Sequence, residues 1–497
     1  MDRDLLQTLN ELGTPPVLVL GDLILDRYTW GEAERVSPEA PVLVLRADRH
    51  ESRPGGAAAV ACLLQALGAD VTLAGGIGPD APAAVLRRLL VDAGVKHRLV
   101  VGGPDRPTTL KDRYLGRVAG RDAQPLLRVD HEVRQPLPHD LEKRLGAAVL
   151  AELPKHRALL VSDYAKGACT PRLLDWLASG AKGHGVPLVI DPARLPDYAR
   201  YRGAGVLVPN RAEAALATGH AIEVAEDALD AGEALCQQCA LGAALVKLDR
   251  DGMALARPGQ PGRVFPTRPH QVRDVTGAGD MVLAVVGLCL AAGRPLEEAA
   301  QLANVAAGLE VGRVGVAPVR RAELRAELLR RGRDGPGKLV TVDDMAALAD
   351  AYSRDGQALV LANGCFDLLH AGHVAHLQAA AGLADALVVA VNSDRTVRRL
   401  KGAGRPVLPE AERAALVAAL GCVDHVLVFD DETPHELLRR IRPDVLVKGG
   451  DYTPAQVVGR EVVEGYGGKV RVTGKLEGVS TTRILATLRG VPAAGAG

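Results

Sequence analysis

Aromatic side chains are scarce, at 3% of 497 residues, so the chain offers few platforms on which the bases of a single-stranded nucleic acid could stack. An excess of one charge is also missing. Lys+Arg and Asp+Glu stand at 60 each, and no net field recruits nucleic acid or an anionic membrane. No run of about 18 apolar residues occurs, which leaves no candidate for a spanning helix, and charges interrupt the leucines of Met1 to Asn10 where a secretion signal needs an apolar core. The seven cysteines are scattered and odd in number, against a disulfide framework. Cys236 and Cys239 form a Cys-x-x-Cys, but no second pair or neighbouring His completes a zinc site, so they read as buried thiols without a role. A cytoplasmic protein acting on small molecules is expected, with neither nucleic acid nor membrane as partner.

What the chain does contain is organised around Asp274-Val275-Thr276-Gly277-Ala278-Gly279-Asp280. Two glycines allow a sharp turn, and the apolar run from Met281 to Ala292 reads as a helix whose N-terminus forms an anion hole. Asp280 stands beside that hole, where it can accept a proton from a hydroxyl attacking a phosphorus, although an Asp in this place also serves as an N-cap.

Other segments repeat one pattern, a short apolar run ending in a polar tip. Val17 to Leu20 leads to Gly21-Asp22, Ala158 to Val161 to Ser162-Asp163-Tyr164-Ala165-Lys166, Val186 to Ile190 to Asp191-Pro192, and Gly205 to Val208 to Asn210-Arg211-Ala212-Glu213. With amphipathic segments such as Pro171 to Lys182 between them, the series predicts a mainly parallel, doubly wound sheet. The tips should converge at one sheet edge and gather Asp22, Asp163, Lys166, Asn210, Glu213 and Asp280. Proline-broken Arg35 to Val42 suits a loop or small lid hairpin, and Gly55-Gly56 permit close approach of a ligand or of another backbone.

The phrases GDLILDRYTWG, RVSPEAPV, RPGGAA, LVSDYAKGA, IDPA, PNRAE and DVTGAGD resemble those of ribokinase-like sugar kinases over about residues 12 to 330. More narrowly, they resemble the kinase half of the bifunctional heptose kinase/adenylyltransferases of Gram-negative bacteria. The resemblance implies that Asp280 is the general base. It also implies that Asn210, Arg211, Ala212, Glu213, Gly277, Ala278 and Gly279 bind ATP, with Mg²⁺ held through the phosphates and possible help from Glu213, and that Asp22, Gly55, Gly56, Lys111, Asp163 and Lys166 bind the sugar. An anionic substrate needs cations, for which Lys111, Lys166 and Arg35 are the candidates. Ala59 departs from the family, which usually has Asn after the glycine pair, and Arg211-Ala212 replace a more apolar-polar pair.

At this length two to four domains are expected from about 150 residues each. The composition shifts to Arg, Glu and Gly near residues 320–337, which predicts a kinase domain over 1–333, a linker over 334–356 and a second domain over 357–497. That second domain opens with an apolar run, Ala358 to Ala362, and continues Asn363-Gly364-Cys365-Phe366-Asp367-Leu368-Leu369-His370-Ala371-Gly372-His373. His370 and His373 share one face of a helix start and suit phosphate; two His at this spacing also suit zinc, for which no further ligand pattern is present. Lys401 and Lys448 can offset triphosphate charge, Gly449-Gly450 let a nucleotide lie against backbone, and Ser480, Thr481 and Thr482 can hold phosphate, with N-capping an alternative for Ser480.

The HxGH phrase resembles the signature of the nucleotidyltransferase superfamily, and the spaced phrases VNSD, LKG with Arg405-Pro406, VKGGDY and STTR match the adenylyltransferase half of the heptose enzymes. The resemblance implies a Rossmann-like domain in which His370 and His373 are catalytic and Asn363, Phe366, Asp367, Lys401, Arg405, Lys448, Gly449, Asp451, Ser480, Thr481 and Thr482 bind nucleotide. It implies ATP and heptose phosphates as substrates, no prosthetic group, a homodimer, and a separate phosphatase acting between the two steps. A kinase fused to a cytidylyltransferase for another polyol phosphate is the alternative.

Overall fold

The computed structural model describes residues 2–103, 106–117, 123–267, 277–312, 318–331, 338–402, 404–450 and 452–474. Its chain divides into two compact units, Gln7–Arg321 and Ala322–Gly497, the second including Met1–Leu6.

The first unit carries twelve strands: β1 (Pro16–Val36), β2 (Leu43–Gly56), β3 (Asp70–Ile77), β4 (Lys96–Gly102), β5 (Thr109–Arg117), β6 (Gln124–His131), β7 (Ala158–Ser162), β8 (Leu188–Asp191), β9 (Val206–Leu207), β10 (Ala243–Lys247), β11 (Met253–Arg257) and β12 (Gln260–Phe265). Nine of them form the main sheet in the order β12-β11-β10-β9-β8-β7-β1-β3-β4. Its pairs are parallel except those of β11 with β10 and with β12. The expected doubly wound sheet is therefore present. Val17 to Leu20 are wholly buried, as an unbroken apolar run in a parallel strand requires.

β1 serves two layers. Its first seven residues pair with β3 and β7, and from Leu23 onward it pairs with β2 and β5, while β6 adds to β5. The second layer is a four-stranded lid, and the proline-broken stretch expected to be loop or hairpin is the turn between β1 and β2. β6 is exposed throughout, so only its partner strand orders it.

Helices follow the expected punctuation. Pro171–His184 starts at Thr170, whose side chain accepts the Leu173 N–H, and stops at Gly185 with φ 66°, a left-handed position that suits glycine. Ala278–Ala291 is apolar all round and almost wholly buried, which leaves only its N-terminus for polar work.

The second unit is a parallel sheet of β13 (Leu359–Gly364), β14 (Ala386–Asn392), β15 (His425–Phe429), β16 (Val445–Gly449) and β17 (Lys469–Thr473), in the order β15-β14-β13-β16-β17. The order reverses beside β13, which places a ligand crevice at the C-terminal ends of β13 and β16.

The predicted domain limits require correction. Within 334–356, expected to be linker, Val342–Arg354 is a helix with a capping box between Thr341 and Asp344. Its Met345, Leu348 and Tyr352 join Ala326 and Leu329 of the preceding helix, Arg321–Arg331, in one buried cluster. The division into two compact units falls at Arg321/Ala322, at the start of that helix. Its Arg and Glu residues resemble a linker in composition, but Leu324, Ala326, Leu328 and Leu329 supply a buried stripe that composition averages away.

Candidate active sites

Gly277 begins the first site with φ 97°, a conformation that strains any side chain, and turns the chain into the helix Ala278–Ala291. Asp280 falls in the helix's first turn at 5% exposure. Burial and the neighbouring Asp191 push its carboxyl up to about 7, against the opposing pull of Tyr164 and Lys247. A carboxylate that titrates near neutrality is suited to accept and release a proton.

Around it stand residues that sequence reasoning missed. Lys247, at the end of β10, pairs with Asp191, at the end of β8, at 2.6 Å. A Cβ on Gly279 would come within 3.2 Å of the Lys247 ammonium, so the glycine admits this cation to the helix N-terminus. Burial works against the Lys247 charge, but Asp191, Glu213 and Asp280 outweigh it and keep the ammonium protonated. Lys247 is the polar tip of an apolar run like the others, and that signal was readable. In the sequence Asp191 reads only as a strand tip.

The predicted nucleotide segment splits in its roles. Asn210 caps Arg211–Thr218, accepting the Glu213 N–H at 2.9 Å, while Glu213 accepts the Asn210 N–H at 2.8 Å. Arg211 instead donates to the carbonyls of Ile222 and Glu223 and to Asp251, so it ties loops together, and Ala212 is exposed on the first turn. Asp274, Val275 and Thr276 lie outside the described residues.

On the sugar side, the expected residues are brought together with altered duties. Asp22, 3% exposed, accepts the backbone N–H groups of Tyr164, Lys166 and Ala168, each at 2.9 Å. It therefore shapes the 163–168 loop. Asp163 accepts the Ala165 N–H and the Tyr201 hydroxyl, both at 2.8 Å, and burial with Asp22 nearby pushes it up to about 6. Lys166 pairs with Glu132 at 2.6 Å, and Arg35 is exposed near the lid's far end; neither has the disposition expected of a phosphate grip in the site. Lys111 does. Its ammonium lies 5.1 Å over the Tyr164 ring, where burial lowers its pKa and Asp26 partly restores it.

Gly55 and Gly56 are explained by backbone approach. A Cβ on Gly55 would strike the Asp26 carboxylate at 2.2 Å, and one on Gly56 the Asp22 carbonyl at 2.4 Å. Asp26, 5% exposed and ion-paired with Arg113 at 3.0 Å, was missed although it stands four residues beyond Asp22 on the same strand face. Ala59 is buried in the helix Ala57–Ala66 and lines a cavity of about 300 Å³ with Arg53 and Cys62.

The second site is a cavity of about 760 Å³ at the predicted switch point. His370 and His373 stack at the start of the helix Ala371–Ala381, ring centroids 3.9 Å apart. Nδ1 of each is buried without a hydrogen bond among the described residues, and the Leu368 backbone favours the charged form of His373 against its burial. Such orphaned ring nitrogens mark a place where a ligand can complete the bonding. Burial and His370 hold His373 down at about 4.

His376, one turn on, was overlooked although the spacing from His373 repeats. It lines the cavity, bonds Thr473 Oγ1 at 2.5 Å, and is held at about 4 by burial and by Lys448. A Cβ on Gly449 would meet its ring at 2.9 Å. Lys448 donates to the Asn363 carbonyl at 3.0 Å, bridging the ends of β16 and β13. Phe366 packs against His373 at 5.4 Å, and Lys401 lines the rim.

Asp367 differs from the expected nucleotide contact. It accepts Arg405 and the Val407 and Leu408 N–H groups, so it anchors the 405–408 loop and meets the Arg405 charge. Arg413, wholly buried, secures the same region through the Leu408 and Cys365 carbonyls and Asp394. Asp451, Ser480, Thr481 and Thr482 lie outside the described residues. No group of three potential metal ligands occurs among the described residues.

The model of pfkB family carbohydrate kinases matches residues 16–321, and the cytidylyltransferase-like model matches 361–486. Bifunctional protein HldE of Geotalea uraniireducens is 44% identical over 95% of each chain, and that of Geobacter sulfurreducens 45% over 95% of each. The Pseudomonas paraeruginosa protein of the same name is 44% identical over 95% of this chain and 97% of its own. Among solved structures, Arabidopsis thaliana ribokinase complexed with ribose and ATP matches with TM-score 0.51 at 23% identity, over 63% of this chain and 99% of that one. Escherichia coli phosphofructokinase-2 in complex with potassium matches with TM-score 0.52 at 18% identity, over 63% and 98%. These two likenesses establish the fold of the first unit. With near full-length relatives that share both halves, the chain belongs to the bifunctional HldE family, a carbohydrate kinase and a nucleotidyltransferase on one polypeptide.

Proposed function

We infer that the first unit phosphorylates C1 of D-glycero-β-D-manno-heptose 7-phosphate with ATP, and that the second transfers the adenylyl group of ATP to heptose 1-phosphate, giving ADP-heptose and pyrophosphate for the lipopolysaccharide core. The observation that supports this reading is that each unit has its own strand-end site, one with a buried carboxyl in the first turn of a helix and one with two stacked imidazoles at a helix start.

In the kinase, Asp280 takes the proton of the C1 hydroxyl as its oxygen attacks the γ-phosphorus. The N–H groups of Gly277 to Gly279 and the Lys247 ammonium lie where charge gathers on the transferring group. Asp26 and Lys111, which interact electrostatically, are assigned to the sugar side. Mg²⁺ brought with ATP would be held through the triphosphate and by Glu213, and would neutralise phosphate charge. The donor set fits that manner of binding, since one Glu213 oxygen is already engaged with the Asn210 N–H.

In the transferase, the nucleophile is a sugar phosphate oxygen that is already anionic, so no base is needed. His370, His373 and Lys448 line the place where the α-phosphorus and departing pyrophosphate gain charge, and attack is in line without a covalent enzyme intermediate.

The kinase product is a 1,7-bisphosphate, whereas the transferase accepts the 1-phosphate, so a separate phosphatase acts between them. The chain works in the cytoplasm, in keeping with seven free cysteines, and as a homodimer, for which the exposed Leu126 and Leu127 of β6 offer an apolar surface. Incubation with heptose 7-phosphate and ATP, followed by mass and phosphorus NMR analysis, should show bisphosphate accumulating. ADP-heptose should form only after phosphatase is added, and its formation in phosphatase-free protein would contradict the reading.

A further inference from the structure

Asp280 has two carboxylate oxygens, and one of them is engaged. The Tyr164 hydroxyl donates to Asp280 Oδ1 at 3.0 Å. We propose that Tyr164 is a positioning residue for the kinase: by holding Oδ1 it leaves Oδ2 as the acceptor for the sugar proton and stabilises the ionised form of the base. This rests on Asp280 being that base.

The phenol can do this because nothing near it is loose. The Tyr164 N–H donates to Asp22 Oδ2, and the same carboxylate takes the N–H groups of Lys166 and Ala168. Between them, Ala165 adopts φ 54°, a left-handed conformation that a residue with a Cβ keeps only when its surroundings over-determine it. Its N–H is fixed by Asp163, which is itself held by the Tyr201 hydroxyl. One face of the Tyr164 ring carries the Lys111 ammonium at 5.1 Å. Asp22 thus acts on the base at second hand, through the loop that aims Tyr164.

The charged groups facing Asp280 come from three strands: Asp191 on β8 and Asp26 on β1 disfavour its ionisation, and Lys247 on β10 favours it. Tyr164 adds the one direct hydrogen bond to the carboxylate that its neighbours make among the described residues. Without it, burial and the two carboxylates act against Lys247 alone. The base should then become harder to ionise, and the acid limb of the kinase pH profile should move to higher pH.

Tyr164→Phe in the full chain removes only the hydroxyl. We expect kinase kcat at pH 7 to fall about tenfold and the acid limb to rise by about one pH unit, as loss of a charge-assisted hydrogen bond would cause. The KM for the sugar should stay within about twofold and transferase turnover should not change, because the hydroxyl acts on the base and not on binding. An unmoved limb, or a loss equal at every pH, would overturn the role of Tyr164. Should the Phe variant lose the thermal transition of the kinase unit, 3-fluorotyrosine at position 164 decides: its more acidic phenol donates more strongly, so the limb must move down, and an unmoved limb rejects the proposal. Asp280→Asn measured in parallel separates the two ideas. Turnover surviving there removes Asp280 as the base, whereas turnover lost there with an unmoved limb in Tyr164→Phe removes only the positioning role.

Discussion

The two sites stand at equivalent places in two parallel sheets, strand ends that lead into a helix N-terminus, yet they gather opposite chemistry. The kinase site collects carboxylates, with Asp280, Asp191, Asp26 and Glu213 around one Lys247. The transferase site collects imidazoles held neutral, with Lys448 beside them. The nucleophile explains the difference. In the proposed mechanism a sugar hydroxyl must lose a proton, and the kinase site offers a carboxyl that burial pushes up to about 7. A phosphate oxygen carries its charge already, so the transferase needs only groups that receive charge on the phosphates.

The largest effect should come from removing the centre of either site. Asp280→Asn should lower kinase turnover by roughly 10²-fold or more and leave the transferase intact, and His373→Ala should do the reverse. Separate assays of one preparation check both, and a loss of both activities in either variant would break the division into two sites.

Acid should separate the two next. Asp280 must be ionised to work and titrates at about 7, so kinase kcat/KM should fall about tenfold per unit below that pH. His373 and His376 titrate at about 4, so transferase kcat/KM should stay flat between pH 8 and 6 on their account. Parallel pH profiles would contradict the comparison.

The boundary can be tested by truncation. A fragment of residues 322–497 should be more stable than one of residues 338–497, because the shorter one loses Ala326 and Leu329 from the cluster around Met345 and Tyr352. A difference of about 2–5 kcal/mol in denaturant unfolding is expected for such a loss, and equal stability would restore the later boundary.

The smallest effect concerns the stability cost of the base. The folded carboxyl of Asp280 titrates near 7 against an ordinary 3.8, so its ionisation opposes folding. That penalty is absent below about pH 4, grows as pH rises, and is complete above about 7. Asp280→Asn should therefore stabilise the kinase unit at pH 8, by on the order of a few kcal/mol, and have little effect at pH 4. Thermal melts at the two pH values read this out, and destabilisation at pH 8 would refute it.

Local order was largely legible. Apolar runs such as Val17 to Leu20 and the Leu188 to Ile190 part of the run from Val186 are buried strand, and Gly277 and Gly449 are places where a side chain would be strained or would collide. Asp280, His370 and His373 followed from their places beside a glycine turn and a helix start, and family phrases tied them to two reactions. The helix Val342–Arg354 was less legible, because its Asp and Arg residues hid a buried stripe from a reading by composition.

By itself, then, the sequence determined the two mainly parallel sheets, the polar strand tips and which side chains are candidates for the chemistry, since these depend on spacing along a single segment. Only the tertiary structure decided which charges meet. Lys166, a candidate phosphate grip by sequence, has Glu132 beside it, Arg405, a candidate nucleotide contact, is paired with Asp367, and Asp22, a candidate sugar contact, receives three N–H groups of the 163–168 loop. Asp26, Lys247 and Tyr164 joined the kinase site in the same way. The physical reason is range: backbone conformation is set by neighbours a few residues away, whereas an ion pair or a shared hydrogen bond between residues tens to over a hundred positions apart exists only once packing has brought their segments together.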